Sequence, residues 1–305
     1  MTRRNTPRIS FIGFGEAGQA IASGLRDAGI ERIAAWDILF PEPAGARLKS
    51  AGEALGVRAA SSAAEAVRGS DMIISAVTAA SSLEAARSVA PHLAGNPYYL
   101  DINSVSPGRK QETAGLLRER ARYVDVAVVA PIHPARHRTP LLISGPHAEE
   151  ISPLLRELEM QLTVVGPETG SAAAIKMIRS VMIKGIEALT LECFLAAARA
   201  GVLEEVTASL KHNYPTLDWT KIADYNLERM ASHGERRAAE MEESAATLRE
   251  LGLDPLMVDS TVKRQREMGA IGKRETVRET LKSGRAAMLK AIGAAAKDRD
   301  RSGAI

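Results

Sequence analysis

The stretch RISFIGFGEAGQAIASGLRDAG, residues 8–29, decides the fold. Its first five residues are a short apolar run that reads as a strand. GFGEAG follows at once, and then QAIASGLRDAG, whose apolar residues recur at helical spacing until Gly29 stops them. Gly13, Gly15 and Gly18 therefore stand in strand–turn–helix context, the setting that a dinucleotide-binding fingerprint requires. Gly13 permits the tight turn, Gly15 lets backbone approach a pyrophosphate, and Gly18 lets the helix pack on the strand. The helix N-terminus then presents unpaired N–H groups to the phosphates, so the whole turn, Gly13, Phe14, Gly15, Glu16, Ala17 and Gly18, is expected to hold cofactor. The next strand, RIAAW, ends at Asp37, about where a ribose-binding carboxylate belongs. A carboxylate there accepts both ribose hydroxyls and repels a 2′-phosphate. Ile38, Leu39, Phe40 and Pro41 supply no adjacent cation, so NAD is favoured over NADP, with Arg47 and Lys49 the nearest cations downstream.

The alternation continues outward from this unit. Strands are expected at 71–77, 98–102, 123–130, 140–145 and 162–166, with helices near 80–93, 107–120 and 147–159. Strands alternating with helices predict a mostly parallel, doubly wound sheet. Ligands bind such sheets beyond the carboxyl ends of the strands, which puts Val77, Thr78, Asn103 and Ser104 on the rim of a cofactor cleft. After Gly166 the strand signals vanish. Helices are expected at 168–200, 203–212, 218–230, 233–252, 255–268 and 273–296, followed by a frayed tail, KDRDRSGAI. The fold class is thus α/β: a dinucleotide-binding domain over residues 1–166, then an all-α domain over 167–305.

Composition narrows the function classes. Forty basic against thirty-seven acidic residues, dispersed along the chain, leave no patch that tracks nucleic acid. No apolar run approaches the ~20 residues of a membrane span, and the N-terminal apolar run is too short for a signal peptide and is interrupted by Glu16. The single cysteine, Cys193, sits in an apolar helical segment and reads as structural, and one thiol cannot form an intrachain disulfide; a reducing cytoplasm is the expected setting. His133 and His137 lie in a proline-rich loop without carboxylate or cysteine partners at ligand spacing, so no metal site is expected.

IKMIRSVMIKG, residues 175–185, places Lys176, Arg179, Ser180 and Lys184 in an otherwise alanine-rich helix. At about 100° per residue Lys176, Ser180, Ile183 and Glu187 share a stripe, flanked by Arg179 and Lys184. One reading is a solvated face supported by Lys184–Glu187 and Arg179–Glu187 pairs. The apolar surroundings and the preceding GSAAA, small enough to admit another layer, favour a lysine held in a cleft and used for proton transfer.

These pieces in this order resemble the β-hydroxyacid dehydrogenase superfamily, which includes 3-hydroxyisobutyrate and 6-phosphogluconate dehydrogenases. FIGFGEAGQAIASGL, YLDINSVSP and GPETGSAAAIKMIRS carry the likeness, over residues 8–270. By that resemblance Lys176 matches the catalytic lysine, and Ser180 stands where asparagine is usual. The resemblance implies a Rossmann-type domain, a small 3-hydroxy acid or sugar acid as substrate, NAD, decarboxylation of some 3-oxo products, and a homodimer with interlocking helical domains. Lys184, Arg179 or an arginine at 236–237 would bind the substrate carboxylate, and Asn103, Ser104 and Ser180 would hold groups near the reacting carbon. The departures are also plain. Val129, Ala130 and Pro131 replace the Ser-Gly-Gly segment, Asp101-Ile102-Asn103-Ser104 replaces Asp-x-Ser-Thr, and Arg179-Ser180 replaces the His-Asn of phosphogluconate dehydrogenases. The likeness is to the branch labelled NAD-binding phosphogluconate dehydrogenase, whose second-domain motif resembles ASHGERRAAEMEE (231–243), with His233, Arg236 and Arg237 at a helix start. Arg236 and Glu240 are also ordinary i,i+4 neighbours there. Three other functions remain: an imine reductase-like enzyme, against which Lys176 argues; phosphogluconate oxidation proper, against which Arg179-Ser180 and the short chain argue; and a non-catalytic dinucleotide sensor or oligomeric scaffold.

Overall fold

The computed structural model describes residues 6–302. Its first part is an eight-stranded sheet built from β1 (Ile9–Ile12), β2 (Ile33–Trp36), β3 (Arg58–Ala59), β4 (Met72–Ser75), β5 (Tyr98–Asp101), β6 (Arg122–Val128), β7 (Leu141–Ser144) and β8 (Leu162–Val164). The spatial order is β3-β2-β1-β4-β5-β6-β7-β8, so the chain reverses direction across the sheet between β1 and β4. Helices α1 (Glu16–Asp27), α2 (Ala46–Ala54), α3 (Ala63–Val67), α4 (Ser82–Val89), α5 (Pro107–Leu117) and α6 (Ala148–Glu157) connect the strands. Successive strand residues point to opposite faces, and both faces are apolar because helices cover both. Phe11, Ile74, Leu100 and Val124 enter one buried cluster, while their neighbours Ile12, Ile73, Tyr99 and Tyr123 enter another.

The expected strands are all present, and two features were not anticipated. β3 is a two-residue edge strand paired with β2, too short to leave a periodic signal. β7 runs antiparallel to β6. The chain leaves β6 and returns through residues 129–140 without a covering helix, and a direct return of that kind can only pair antiparallel.

The chain divides into two compact units, residues 1–177 and 178–305. The sequence placed its boundary at Gly166, eleven residues earlier. The difference arises in α7 (Ser171–Ala200), whose opening turn is tied to the sheet. Ala172 N–H donates to Ser144 Oγ at 3.0 Å and Ala173 N–H to Asp125 Oδ2 at 3.0 Å, so two of the helix's four unpaired donors are satisfied by strand side chains.

The second unit contains the rest of α7, α8 (Leu203–Asn213), α9 (Trp219–Glu250), α10 (Leu256–Gly272), α11 (Glu275–Arg278) and α12 (Arg285–Ser302). Where two helices, 218–230 and 233–252, were expected, α9 is continuous, and His233, Arg236 and Arg237 lie in its middle. Gly234 is a contact point of this helix: a Cβ there would lie 2.3 Å from Gln265 O, and one at Gly269 would lie 2.5 Å from Glu235 N. Small residues let the α9 and α10 backbones touch. The single helix expected over 273–296 is instead α11 and α12. The tail expected from residue 297 is helical as far as Ser302, and residues 303–305 lie outside the described residues.

Candidate active site

The carboxyl ends of β1, β2, β4 and β5 lie at one edge of the sheet, and each is followed by residues the sequence singled out. After β1 the chain turns at Gly13, with φ +87°, where a Cβ would meet Ala76 O at 2.4 Å. Gly18 lies against the same turn, its missing Cβ 2.7 Å from Gly13 O. Gly15 faces open space, and as N-cap of α1 it leaves the first turn without a side-chain cap. Uncapped N–H groups beneath an unobstructed glycine form an anion site, and a pyrophosphate would complete the cap. Glu16 and Ala17 open this helix. Phe14 also anchors the turn to the core. Its ring is fully buried against Phe11 and Phe40, and its N–H donates to Asp37 Oδ2 at 2.8 Å. Asp37 also accepts from Leu39 N–H at 3.0 Å through Oδ1, so the glycine turn and the end of β2 are locked through one carboxylate.

The β4 and β5 ends are joined by Asn103, which is buried. Its Oδ1 accepts from Val77 N–H at 2.7 Å and its Nδ2 donates to Ser75 Oγ at 2.9 Å. The amide thus also serves as a strand clamp that sets the height of Val77 and, beyond it, the exposed Thr78. Ser104 is half-buried, and Lys176 Nζ donates to its Oγ at 2.5 Å. Sequence placed these two side chains 72 residues apart; the fold of the first unit joins them.

The anchoring beneath this pair was not foreseen. Asp101, Lys110 and Asp125 are fully buried, with Lys110 Nζ 3.2 Å from Asp101 Oδ1 and 3.3 Å from Asp125 Oδ1. Tyr123 OH donates to Asp101 Oδ2 at 2.8 Å, and Ser144 Oγ to Asp125 Oδ2 at 3.0 Å. Burial, and next the Asp101 charge, push the Tyr99 and Tyr123 hydroxyls well above the usual phenol range. The available signal was Asp125 within the apolar run YVDVAVVA: a carboxylate in a strand buried on both faces requires a partner.

In the second unit Lys184 is 5% exposed, which excludes the solvated-face reading for it. Its Nζ lies 3.0 Å from Glu240 Oε2 and 3.2 Å from Ser180 Oγ, and Ser180 is itself buried. Burial holds the Lys184 ammonium below its ordinary pKa, and the Glu240 carboxylate offsets this only in part. Arg236 is exposed and 3.4 Å from Glu240 Oε1, the i,i+4 pair foreseen on α9. Glu187 reaches other helices. It is buried, receives Arg237 Nε at 3.0 Å and Gln265 Nε2 at 2.8 Å, and so ties α7 to α9 and α10. Arg179 is exposed. Among the described residues no group of three or more His, Cys, Asp or Glu is arranged to hold a metal, and no described helix is long and apolar enough to cross a membrane.

A glycine turn and an uncapped helix at the switch point of a doubly wound sheet define a dinucleotide-binding oxidoreductase domain. Residues 8–103 match the family described as NADP oxidoreductase coenzyme F420-dependent, and residues 197–268 match a domain of unknown function, DUF1932. A conserved hypothetical protein from Sinorhizobium meliloti is 37% identical, over 95% of this chain and 97% of its own, with a TM-score of 0.76. The conserved protein MTH1747, described as structurally similar to 3-hydroxyacid dehydrogenases, is 31% identical over 86% of this chain and 97% of its own, with a TM-score of 0.69. A Mycobacterium tuberculosis 3-hydroxyisobutyrate dehydrogenase solved with L-serine shares the fold at 16% identity, over 95% and 99% of the two chains, with a TM-score of 0.69. The chain belongs to one family with the Sinorhizobium meliloti protein and MTH1747, and it shares the fold of 3-hydroxyacid dehydrogenases.

Proposed function

We propose that this protein oxidises the hydroxyl of a small 3-hydroxy acid or sugar acid, or reduces the matching oxo acid, with Lys176 as general acid and base. The observation that carries the reading is the 2.5 Å hydrogen bond from Lys176 Nζ to Ser104 Oγ beyond the β5 end. A bound nicotinamide would accept or donate the hydride. Lys176, held by Ser104, takes the proton from the substrate hydroxyl, and in reverse its ammonium returns it; a positioned group of this kind contributes ~10²–10⁴-fold. Lys184, Arg179 and Arg236 are the cations assigned to the substrate carboxylate, with Ser180 beside Lys184. A 3-oxo acid formed in this way carries its carboxylate β to the new carbonyl, the arrangement from which carbon dioxide can be lost. Asp37 supports NAD over NADP, because a carboxylate fixed against the glycine turn accepts ribose hydroxyls and repels a 2′-phosphate. The exposed apolar residues of α7, including Ile178, Met182, Ile186 and Leu189, support a homodimer built on this helix.

The test follows nicotinamide absorbance with NAD and separately NADP over 3-hydroxy acids, sugar acids and cyclic imines, with wild type beside Lys176→Ala. Turnover of hydroxy acids with NAD, lost in the variant while cofactor affinity survives, supports the proposal. Turnover of imines alone, untouched by the substitution, replaces it with the imine reductase reading. Cofactor binding without any turnover leaves a sensor.

A further inference from the structure

Ser104 and Lys176 reach one another from opposite sides of a single buried ion group. Asp101 Oδ1 accepts from Asn103 N–H at 3.0 Å, one residue before Ser104. Asp125 Oδ2 accepts from Ala173 N–H at 3.0 Å, three residues, or nearly one helical turn, before Lys176. Lys110 lies between these carboxylates, and its Nζ also donates to the Asp101 backbone carbonyl at 2.6 Å. Beside the β5–β6 ladder, in which Asp101 and Asp125 are register partners, and the Tyr123–Asp101 bond, the two carboxylates that hold the Ser104 loop and the opening turn of α7 share one ammonium. The group comprises one cation and two anions, a net charge of −1, and the positive end of α7 faces the Asp125 side.

We propose that Lys110 is a positioning residue for the Ser104–Lys176 pair: by bridging Asp101 and Asp125 it fixes the separation of the β5 loop from the first turn of α7. Lys110 lies fully inside the unit with its ammonium against Asp101 and Asp125, so it acts through them and not on a ligand. Without its charge, two buried carboxylates face each other uncompensated, and the separation they set increases. The consequence for rate rests on the proposed role of Lys176; the consequence for geometry does not.

The closing experiment uses full-length Lys110→Met, which keeps an unbranched stem, and Lys110→Met/Asp125→Asn, which removes one anion with the cation and restores the charge of −1. Ser144→Ala serves as a mild variant that loosens only the α7 side, should Lys110→Met not fold. Amide hydrogen exchange is read by mass spectrometry over residues 101–106, 171–177 and, as internal reference, 9–18. In Lys110→Met the first two segments are expected to exchange at least tenfold faster than in wild type, with the reference unchanged, and the double variant to return toward wild type. Ser144→Ala is expected to accelerate 171–177 alone. With an active substrate, kcat falls on the order of 10²-fold while the cofactor KM holds, as misplacement of a reacting group predicts. Wild-type exchange in both segments overturns the inference, and so does equal acceleration of all three, which marks general loosening. If Lys176→Ala retains turnover but the exchange pattern appears, the lysine's catalytic role fails and the positioning device stands.

Discussion

A hydrogen bond of 2.5 Å between Lys176 and Ser104 leaves the amine oriented before any ligand arrives. Lys176→Ala is therefore expected to lower kcat by ~10²–10⁴-fold with the cofactor dissociation constant unchanged, measured by nicotinamide fluorescence. The glycine turn separates stability from binding. Gly13→Ala introduces a positive-φ alanine and a collision with Ala76 O, and should destabilise by about 2 kcal/mol or more in denaturant unfolding. Gly15→Ala meets nothing in the protein, so its melting temperature should match wild type while affinity for dinucleotide falls. Lys184 gives a pH signature. Its folded pKa lies below the unfolded value of 10.5, so the unfolded chain binds more protons between those two values. Stability from this group accordingly rises with pH across that window and is lowest below it. Lys184→Met/Glu240→Gln should abolish that rise in chemical denaturation run from neutral pH towards 10.5; persistence of the full slope would contradict the assignment. The glycine turn and its place between β1 and α1 were legible because the backbone demand at Gly13 is local. The internal bonds of Asn103 and Phe14 were not legible, because sequence places a residue near a strand end but not its hydrogen bonds.

Helix contacts carry the same lesson at the scale of elements. Gly185 of α7 and Gly269 of α10 are both interior helical glycines, and the helix rule assigns each →Ala change a gain of about 0.5–1 kcal/mol. Gly185 has nothing within 4 Å of its missing Cβ, so Gly185→Ala should raise stability by that amount. Gly269→Ala drives a methyl into the α9 backbone at Glu235 and should lower stability by about 1–3 kcal/mol, as overpacking does. Thermal melts of the pair, opposite in sign, check the packing without reference to activity. Local sequence offers no way to tell these glycines apart. The strand–helix alternation of the first unit was legible because each apolar run is short and bounded. The reversal at β7 was not, since a strand's direction depends on what its connection covers.

For the whole molecule, a row of exposed isoleucine, methionine and leucine side chains along α7 predicts association in solution. Light scattering should report twice the chain mass, and Met182→Glu/Leu189→Glu should halve it with helical circular dichroism retained; a monomeric wild type would remove the dimer from the proposal. The two-part architecture was legible from the loss of strand signals after Gly166, but the dividing point was not. It is set by Ser144 and Asp125, which hold the opening turn of α7, and such tertiary ties leave no mark on the composition of residues 167–177. Dissection of the protein inherits this. A fragment ending at Gly166 would strip Asp125 of its Ala173 partner, leave Ser144 without the Ala172 N–H, and uncover the vault that encloses Lys110. One continued beyond Met177 would carry its own lid. A nicotinamide-binding half intended to stand alone, or to be grafted onto a different helical partner, should therefore be cut inside the long helix and not at the loop before it.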